Sequence, residues 1–248
     1  MSAQICLGTV EISSHTHAAG HGSQVSSAEV AAALGECAPS ALQNLVAHAR
    51  RVCFEPHEVL YRQGTVGDTV LFITGGLLKL VAHLPNGRAR IVRLHRPGSI
   101  MGLSGLLKHD HAHTAVAVSR VSALRLPMGA LDRLRADDPT TYVTLVERWY
   151  GYLREADTWI TQFSTGPIRA RVARLVTYLS EFQNDSADTQ VQLLTCEEMG
   201  FILGVTTESV SRTLADFKRR NILVNQDDNY ADELYAANVE QLRVIANA

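Results

Sequence analysis

Thr195-Cys196-Glu197-Glu198-Met199-Gly200-Phe201-Ile202-Leu203-Gly204-Val205-Thr206-Thr207-Glu208-Ser209-Val210-Ser211-Arg212-Thr213-Leu214 is the stretch that decides how this chain is read. Thr195 with Glu198 three residues on is a capping-box pattern, in which a hydroxyl and a carboxylate each satisfy an orphan N–H at a helix start. Met199, Ile202 and Leu203 continue as an apolar stripe at helical spacing. Gly204 falls where a helix C-terminus needs a left-handed residue. Thr206 can cap a second helix, which buries Val210 and Leu214 and runs into Phe217. The unit is helix, glycine turn, helix. A hairpin that merely packs leaves unexplained why Glu208, Ser211 and Arg212 share the uncommitted face and why Lys218-Arg219-Arg220 follow. The pattern predicts a helix-turn-helix whose second helix enters the major groove of DNA.

The side chains suit that task. Arg212 can donate two bonds to guanine O6 and N7, Glu208 can accept from cytosine N4, and Ser211 can touch a base edge or a thymine methyl. Thr195, at the first helix's N-terminus, is a candidate for holding a phosphate through its hydroxyl and backbone N–H groups. Thr206, Thr207, Lys218 and Arg219 are further phosphate candidates. Cys196 follows the cap, where a helix N-terminus favours thiolate. Either it is a small residue that fits there, or its oxidation adds bulk and negative charge facing phosphates and weakens DNA binding.

Upstream, residues 141–164 carry Val146, Trp149, Leu153, Ala156, Ile160 and Phe163 at spacings of 3, 4, 3, 4 and 3. That is an a/d seam, expected to face a second copy of the chain in a homodimer or, less sharply, to pack on its own domain. Gly166-Pro167 ends the helix and marks a hinge, after which Val172, Leu175, Val176 and Leu179 turn inward while Arg169, Arg171 and Arg174 take the other faces. Phe182 to Gln190 reads as a polar linker.

From Arg51 to about Pro127 short apolar runs alternate with Gly and Pro, the pattern of a β-sandwich or barrel. Asn86-Gly87 between two such runs predicts a hairpin with a primed turn, in which both residues take positive φ. Ser26 with Glu29 predicts a capped helix, and Pro39 begins another. Residues 1–25 show no periodicity and are expected to form a tail.

The 248 residues include 46% hydrophobic and 19% charged side chains, with a net charge of −2. That composition excludes wholesale disorder and argues against a polybasic, sequence-blind nucleic-acid binder. Four cysteines, Cys6, Cys37, Cys53 and Cys196, form no CxxC pair, which fits a reducing compartment. No apolar run approaches the roughly 18 residues of a membrane span, and no signal-peptide pattern opens the chain. The expectation is a cytoplasmic protein without a membrane partner.

A strand-rich first half, a long helix and a C-terminal helix-turn-helix resemble the CRP/FNR family of bacterial transcription regulators. The resemblance covers about residues 30–248. It is most specific from Met199 to Leu223, and Gly64, Gly76, Gly87, Gly98 and Gly102 match the turns of the family's roll. It implies an α+β chain: a tail (1–25), a double-stranded β-helix or jelly-roll sensor domain (26–140), a dimerisation helix (141–165) and a winged helix-turn-helix (166–248). It implies double-stranded promoter DNA and RNA polymerase as partners, usually in activation. Thr207 stands where the cyclic-AMP branch carries Arg. The Glu208-x-x-Ser211-Arg212 arrangement looks like the FNR branch, which implies half-sites close to TTGAT and ATCAA about four base pairs apart.

The same resemblance locates the family's effector loop at Gly102, Leu103, His113 and Thr114. Leu103 stands in place of the carboxylate for the ribose, and His113 in place of the arginine for the cyclic phosphate, which argues against cyclic AMP. Cys6, Cys37 and Cys53, spaced by 31 and 16, argue against the iron–sulfur cluster of the FNR branch. No cofactor is therefore expected, and the regulator reads as effector-independent or redox-modulated. His109-Asp110-His111-Ala112-His113 is either a polar loop or, if extended, a set of imidazoles on one face for a metal or a haem. A cupin-type metal oxygenase is the enzymatic alternative. That pattern wants a Glu a few residues after His113 and a further His on a later strand; the next Glu is Glu147, in the helical region, and no His follows, so no catalytic residue is expected.

Overall fold

The computed structural model describes residues 25–35, 38–183, 190–226 and 234–247. The tail, with Cys6 and its histidines, lies outside the described residues up to residue 24, as does Cys37. Helix α1 (Ser27–Leu34) begins with the expected capping box between Ser26 and Glu29, and Arg51 closes on the same Glu29 carboxylate. Helix α2 (Pro39–His48) starts on its proline.

Eight strands follow: β1 (Arg50–Phe54), β2 (Val59–Tyr61), β3 (Thr69–Gly75), β4 (Leu78–His83), β5 (Ala89–His95), β6 (Ile100–Met101), β7 (Thr114–Ala117) and β8 (Val121–Pro127). They pair antiparallel into two four-stranded sheets, ordered β1-β8-β3-β6 and β2-β7-β4-β5. Alternation along β3 divides its side chains between two cores. Leu71 and Ile73 join Leu78, Met101 and Ala115 between the sheets, whereas Val70 and Phe72 face outward onto α1, α2 and α3 (Met128–Asp137).

The β4–β5 hairpin forms, but its turn is not primed. Gly87 N–H bonds Leu84 C=O, and Pro85 occupies a position where its ring fixes φ negative. Only Gly87, at φ 78°, uses the left-handed region. A bulge between Leu80–Arg93 and Val81–Ile91 leaves Val92 as the extra residue.

Helix α4 (Pro139–Ser164) is capped by Asp138, which accepts from Thr141 N–H at 3.1 Å and from Ala38 N–H at 2.8 Å, tying it to the start of α2. Twenty-six residues make it about 39 Å long. Gly166, at φ 86°, breaks it before Pro167. Helix α5 (Ile168–Gln183) then packs back, so the polar linker begins two residues later than Phe182 and its residues 184–189 lie outside the described residues. Arg171 and Arg174, expected on outer faces, turn to the end of α4 and donate to the carbonyls of Phe163 and Gln162, which the helix leaves unsatisfied.

The C-terminal part comprises β9 (Gln190–Gln192), α6 (Cys196–Leu203), α7 (Thr207–Arg219), β10 (Leu223–Asn225), β11 (Leu234–Ala237) and α8 (Val239–Ala246). The three strands pair as β10-β11-β9, giving the wing beside α6 and α7. The cores are not separate. Ile91 and Leu94 of β5 pack into the same cluster as Met199, Ile202 and Leu203 of α6. The hairpin β4–β5 therefore has the helix-turn-helix on its outer side.

Candidate nucleic-acid interface and effector pocket

Helix α6 starts as its sequence demands. Thr195 Oγ1 accepts from Glu198 N–H at 3.2 Å, and the Glu198 carboxylate accepts from Thr195 N–H at 3.1 Å. Gly204 sits left-handed at φ 66° and closes the helix onto the Gly200 carbonyl. A Cβ on Gly200 would lie 2.9 Å from the Val205 carbonyl oxygen, so the turn packs directly on backbone. Thr206 then caps α7 through Ser209 N–H.

Along α7, Val210, Leu214 and Phe217 are buried while Thr207, Glu208, Ser211 and Arg212 are exposed. Glu208 and Arg212 lie one turn apart, and neither has an ion-pair partner among the described residues. The three expected base-reading side chains thus share one free face of a rigid helix.

The phosphate candidates divide. Thr207 and Thr206 are exposed at the start of α7, and Arg219 is 72% exposed with a 3.3 Å contact to Asp216. Lys218 differs from expectation: its Nζ donates to the Tyr235 hydroxyl at 2.7 Å and lies 4.5 Å from that ring's centre, fastening α7 to the wing. Thr195 differs too. Its hydroxyl is engaged by Glu198, whose carboxylate occupies the anion position at the helix N-terminus. That carboxylate pairs in turn with Lys79 Nζ of β4 at 2.5 Å. Burial opposes the Glu198 charge, but Lys79 and the Thr195 bonds outweigh it and hold the carboxyl below its usual range. Cys196 is half-buried against the core cluster.

Two faces of α4 must also be told apart. Phe163 is buried in its own chain, edge-on to Trp159 and Tyr178, and is not available to a partner. Leu145 is buried likewise, and Ala156 is half-buried towards the roll. Val146 and Ile160 do stand exposed, together with Val143 and Tyr150. The exposed stripe is therefore 143, 146, 150 and 160. The expected seam drew residues from both sides of the helix because each side is apolar at seven-residue spacing. The side chains of Trp149 and Leu153 lie outside the described ones.

The effector loop folds as a short 3-10 turn, Leu103–Leu107, after Gly102. Gly102 has φ 85° and a Cβ there would lie 2.5 Å from the Thr69 carbonyl oxygen. Leu103 is buried core, and the buried Thr114 hydroxyl accepts from Gln63 N–H at 3.0 Å. His109, His111 and His113 do not converge. His109 is exposed, His113 half-buried, and His111 buried, stacked on Tyr61 and hydrogen-bonded to Ser104. The segment is irregular rather than extended, so alternation does not align the rings, and no cluster of metal-ligating side chains occurs among the described residues.

A cavity of about 570 Å³ opens between this loop, β5 and α4. Two of its side chains, Arg93 and His95, carried no signal in the sequence; with Arg90 they are the polar positions of strand β5. His95 is 3% exposed with its ring edge-on to Tyr152, and burial, reinforced by the Arg93 charge, lowers its imidazole to about 3.

The profile of the cyclic nucleotide-binding domain matches residues 51–138, and that of the Crp-like helix-turn-helix domain matches residues 170–244. The chain belongs to the CRP/FNR family of transcription regulators. Among relatives, the transcriptional activator protein Anr of Pseudomonas protegens is 27% identical over 169 residues, 67% of this regulator and 69% of Anr. A CRP-like cAMP-activated global transcriptional regulator of Mycobacterium tuberculosis is 26% identical over 186 residues, 73% and 83% of the two chains. The structure of FixK2 from Bradyrhizobium japonicum superposes with a TM-score of 0.69 at 22% identity, covering 81% of this regulator and 98% of FixK2, which supports the fold. These relatives are regulators rather than enzymes, and the regulator is a DNA-binding protein. No helix among its described residues is long and apolar enough to cross a membrane.

Proposed function

We propose that the regulator binds, as a homodimer, a palindromic promoter site with half-sites close to TTGAT and ATCAA, and that it acts there as an activator in contact with RNA polymerase. Glu208, Ser211 and Arg212 read base edges. Thr206, Thr207 and Arg219 sit beside phosphates, and Lys218 acts by holding the wing. The observation that carries this reading is the free face of α7, where an acid and a guanidinium stand one turn apart with no ion-pair partner among the described residues. The apolar stripe of Val143, Val146, Tyr150 and Ile160 supplies the dimer contact, since a 26-residue helix with such a face is stabilised by a second copy of itself.

Control by cyclic AMP does not suit the cavity. No Asp or Glu lines it to receive a ribose hydroxyl, and Thr114 is not among its lining residues. Control by an iron–sulfur cluster does not suit the scattered cysteines. Redox modulation through Cys196 is a subsidiary reading supported by its place in the first turn of α6. Peroxide then weakens DNA binding by the wild type and leaves a Cys196→Ser protein unaffected.

The test is fluorescence anisotropy with the palindromic duplex and a scrambled duplex across a salt series. Preference for the palindrome, with binding that weakens as salt rises, is expected. Equal affinity for both duplexes would overturn the assignment of the trio to base reading.

A further inference from the structure

The two sides of β5 carry different chemistry. Lys79 and Leu94 are register partners turned toward α6, where Lys79 meets Glu198. Leu78 pairs with His95 and Leu80 with Arg93, on the opposite face of the sheet. Arg93 and His95, two residues apart, consequently line the cavity together.

Both are unsatisfied. His95 Nε2 is buried without a hydrogen-bond partner, a state that native proteins rarely leave unexplained. Arg93 lies 5.8 Å from the centre of the Tyr152 ring and has no carboxylate or hydrogen-bond partner among the described residues. The other guanidinium at the cavity, that of Arg90, is turned to the Ile202 carbonyl at 3.2 Å. Among the described residues the cavity thus offers one guanidinium, that of Arg93, without a hydrogen-bond partner, one imidazole nitrogen without one, and no acid in its lining. The rest of its wall is largely apolar and aromatic, including Ile100, Met101, Leu103, Tyr152 and Trp159. Its volume falls in the range of small-molecule sites.

We propose that this cavity binds a small organic monocarboxylate with an apolar body. The carboxylate accepts from the Arg93 guanidinium and from the N–H of the neutral His95 ring, and the body lies against Trp159, Tyr152 and Ile100. A neutral apolar ligand would leave both groups as they are, and a nucleotide would bring hydroxyls and a second polar end to a wall that has no acid to receive them. The binding claim stands apart from the DNA-binding reading. It rests on that reading only for its consequence, that occupancy alters operator affinity because α4 forms one wall of the site and α6 leans on the other side of β5.

The experiment is calorimetric titration of the full-length protein, without DNA, with 2-naphthoate and decanoate, with their amides as neutral isosteres, and with cyclic AMP. At least one carboxylate is expected to bind once per chain and about tenfold or more tighter than its amide, the scale of a charge-assisted bidentate contact. Arg93→Gln removes that preference. His95→Phe weakens the carboxylate yet raises the melting temperature of the free protein, because it deletes an unpaired buried polar atom, whereas a merely structural histidine would lower it. The proposal is overturned if both carboxylates fail to bind at millimolar concentration, if the amides bind equally well, if Arg93→Gln keeps the preference, or if cyclic AMP binds more tightly than either carboxylate. The amide comparison uses wild-type protein alone, so it decides the matter even if a variant misfolds. Failure of operator binding in a parallel anisotropy experiment would refute the DNA-reading assignment and leave this one untouched.

Discussion

Replacing Lys79 by methionine probes how firmly the helix-turn-helix is held to the roll. The ammonium sits 2.5 Å from the Glu198 carboxylate, and the two side chains are 14% and 12% exposed. Methionine keeps most of the aliphatic stem, so the loss is chiefly that of the charge. Removing one partner of a fully buried pair costs about 3–5 kcal/mol because the other is left uncompensated. Glu198 retains its bonds from Thr195 N–H and Oγ1, at 3.1 and 3.0 Å, which brings the expected loss to about 2–3 kcal/mol. For a chain of this size that corresponds to a fall of roughly 4–12 °C in melting temperature. The Glu198 carboxyl is held below its ordinary value, so its contribution is complete above the usual carboxylate range and is lost as pH falls through the lowered folded value. Calorimetric scans of both proteins should therefore show the full gap at pH 7 and a closing gap in acid. Equal melting temperatures at pH 7, or a gap that persists unchanged in acid, would refute the argument.

Arg212→Ala should cost about 1–3 kcal/mol on the palindromic site and flatten preference at one base pair, whereas equal losses on random DNA would show that it does not read bases. Ile160→Glu places a charge on the exposed stripe of α4 and should yield a monomer in sedimentation equilibrium; an unchanged dimer moves the interface elsewhere. Gly102→Ala should destabilise by about 1–3 kcal/mol in denaturant unfolding, since the new methyl meets the Thr69 carbonyl at a positive φ. Phe163→Ala should cost about 3–5 kcal/mol and leave the oligomeric state unchanged, which separates the inward side of α4 from its outward side.

The parts of this molecule that were legible in the chain are those whose cause lies within a few residues. The two capping boxes, at Ser26 and Thr195, and the glycine turn at Gly204 are local hydrogen-bond chemistry, and each occurs where the residues call for it. The Asn86-Gly87 signal located the hairpin, but Pro85 one position earlier determined the turn's conformation. Facing was harder. Along α4 apolar residues occur on two sides, and periodicity alone cannot say which side meets α5 and which stays open. Contacts between distant residues left no trace: Lys79 and Glu198 are 119 residues apart, and the capping role of Glu198 carried no hint of an ion pair with β4. Arg93 and His95 were illegible for the same reason, since a strand with three polar residues, Arg90 among them, is ordinary until the structure shows which of them lack partners.

The β4–β5 ribbon is a partition shared by two compartments. A displacement of its backbone too small to break any pairing would disturb the cavity beside α4 and the footing of α6 and α7 in the same instant, with no relay of intervening residues. Screens for variants locked on or off should accordingly converge on this short ribbon, and single substitutions there should shift small-molecule and operator affinities together.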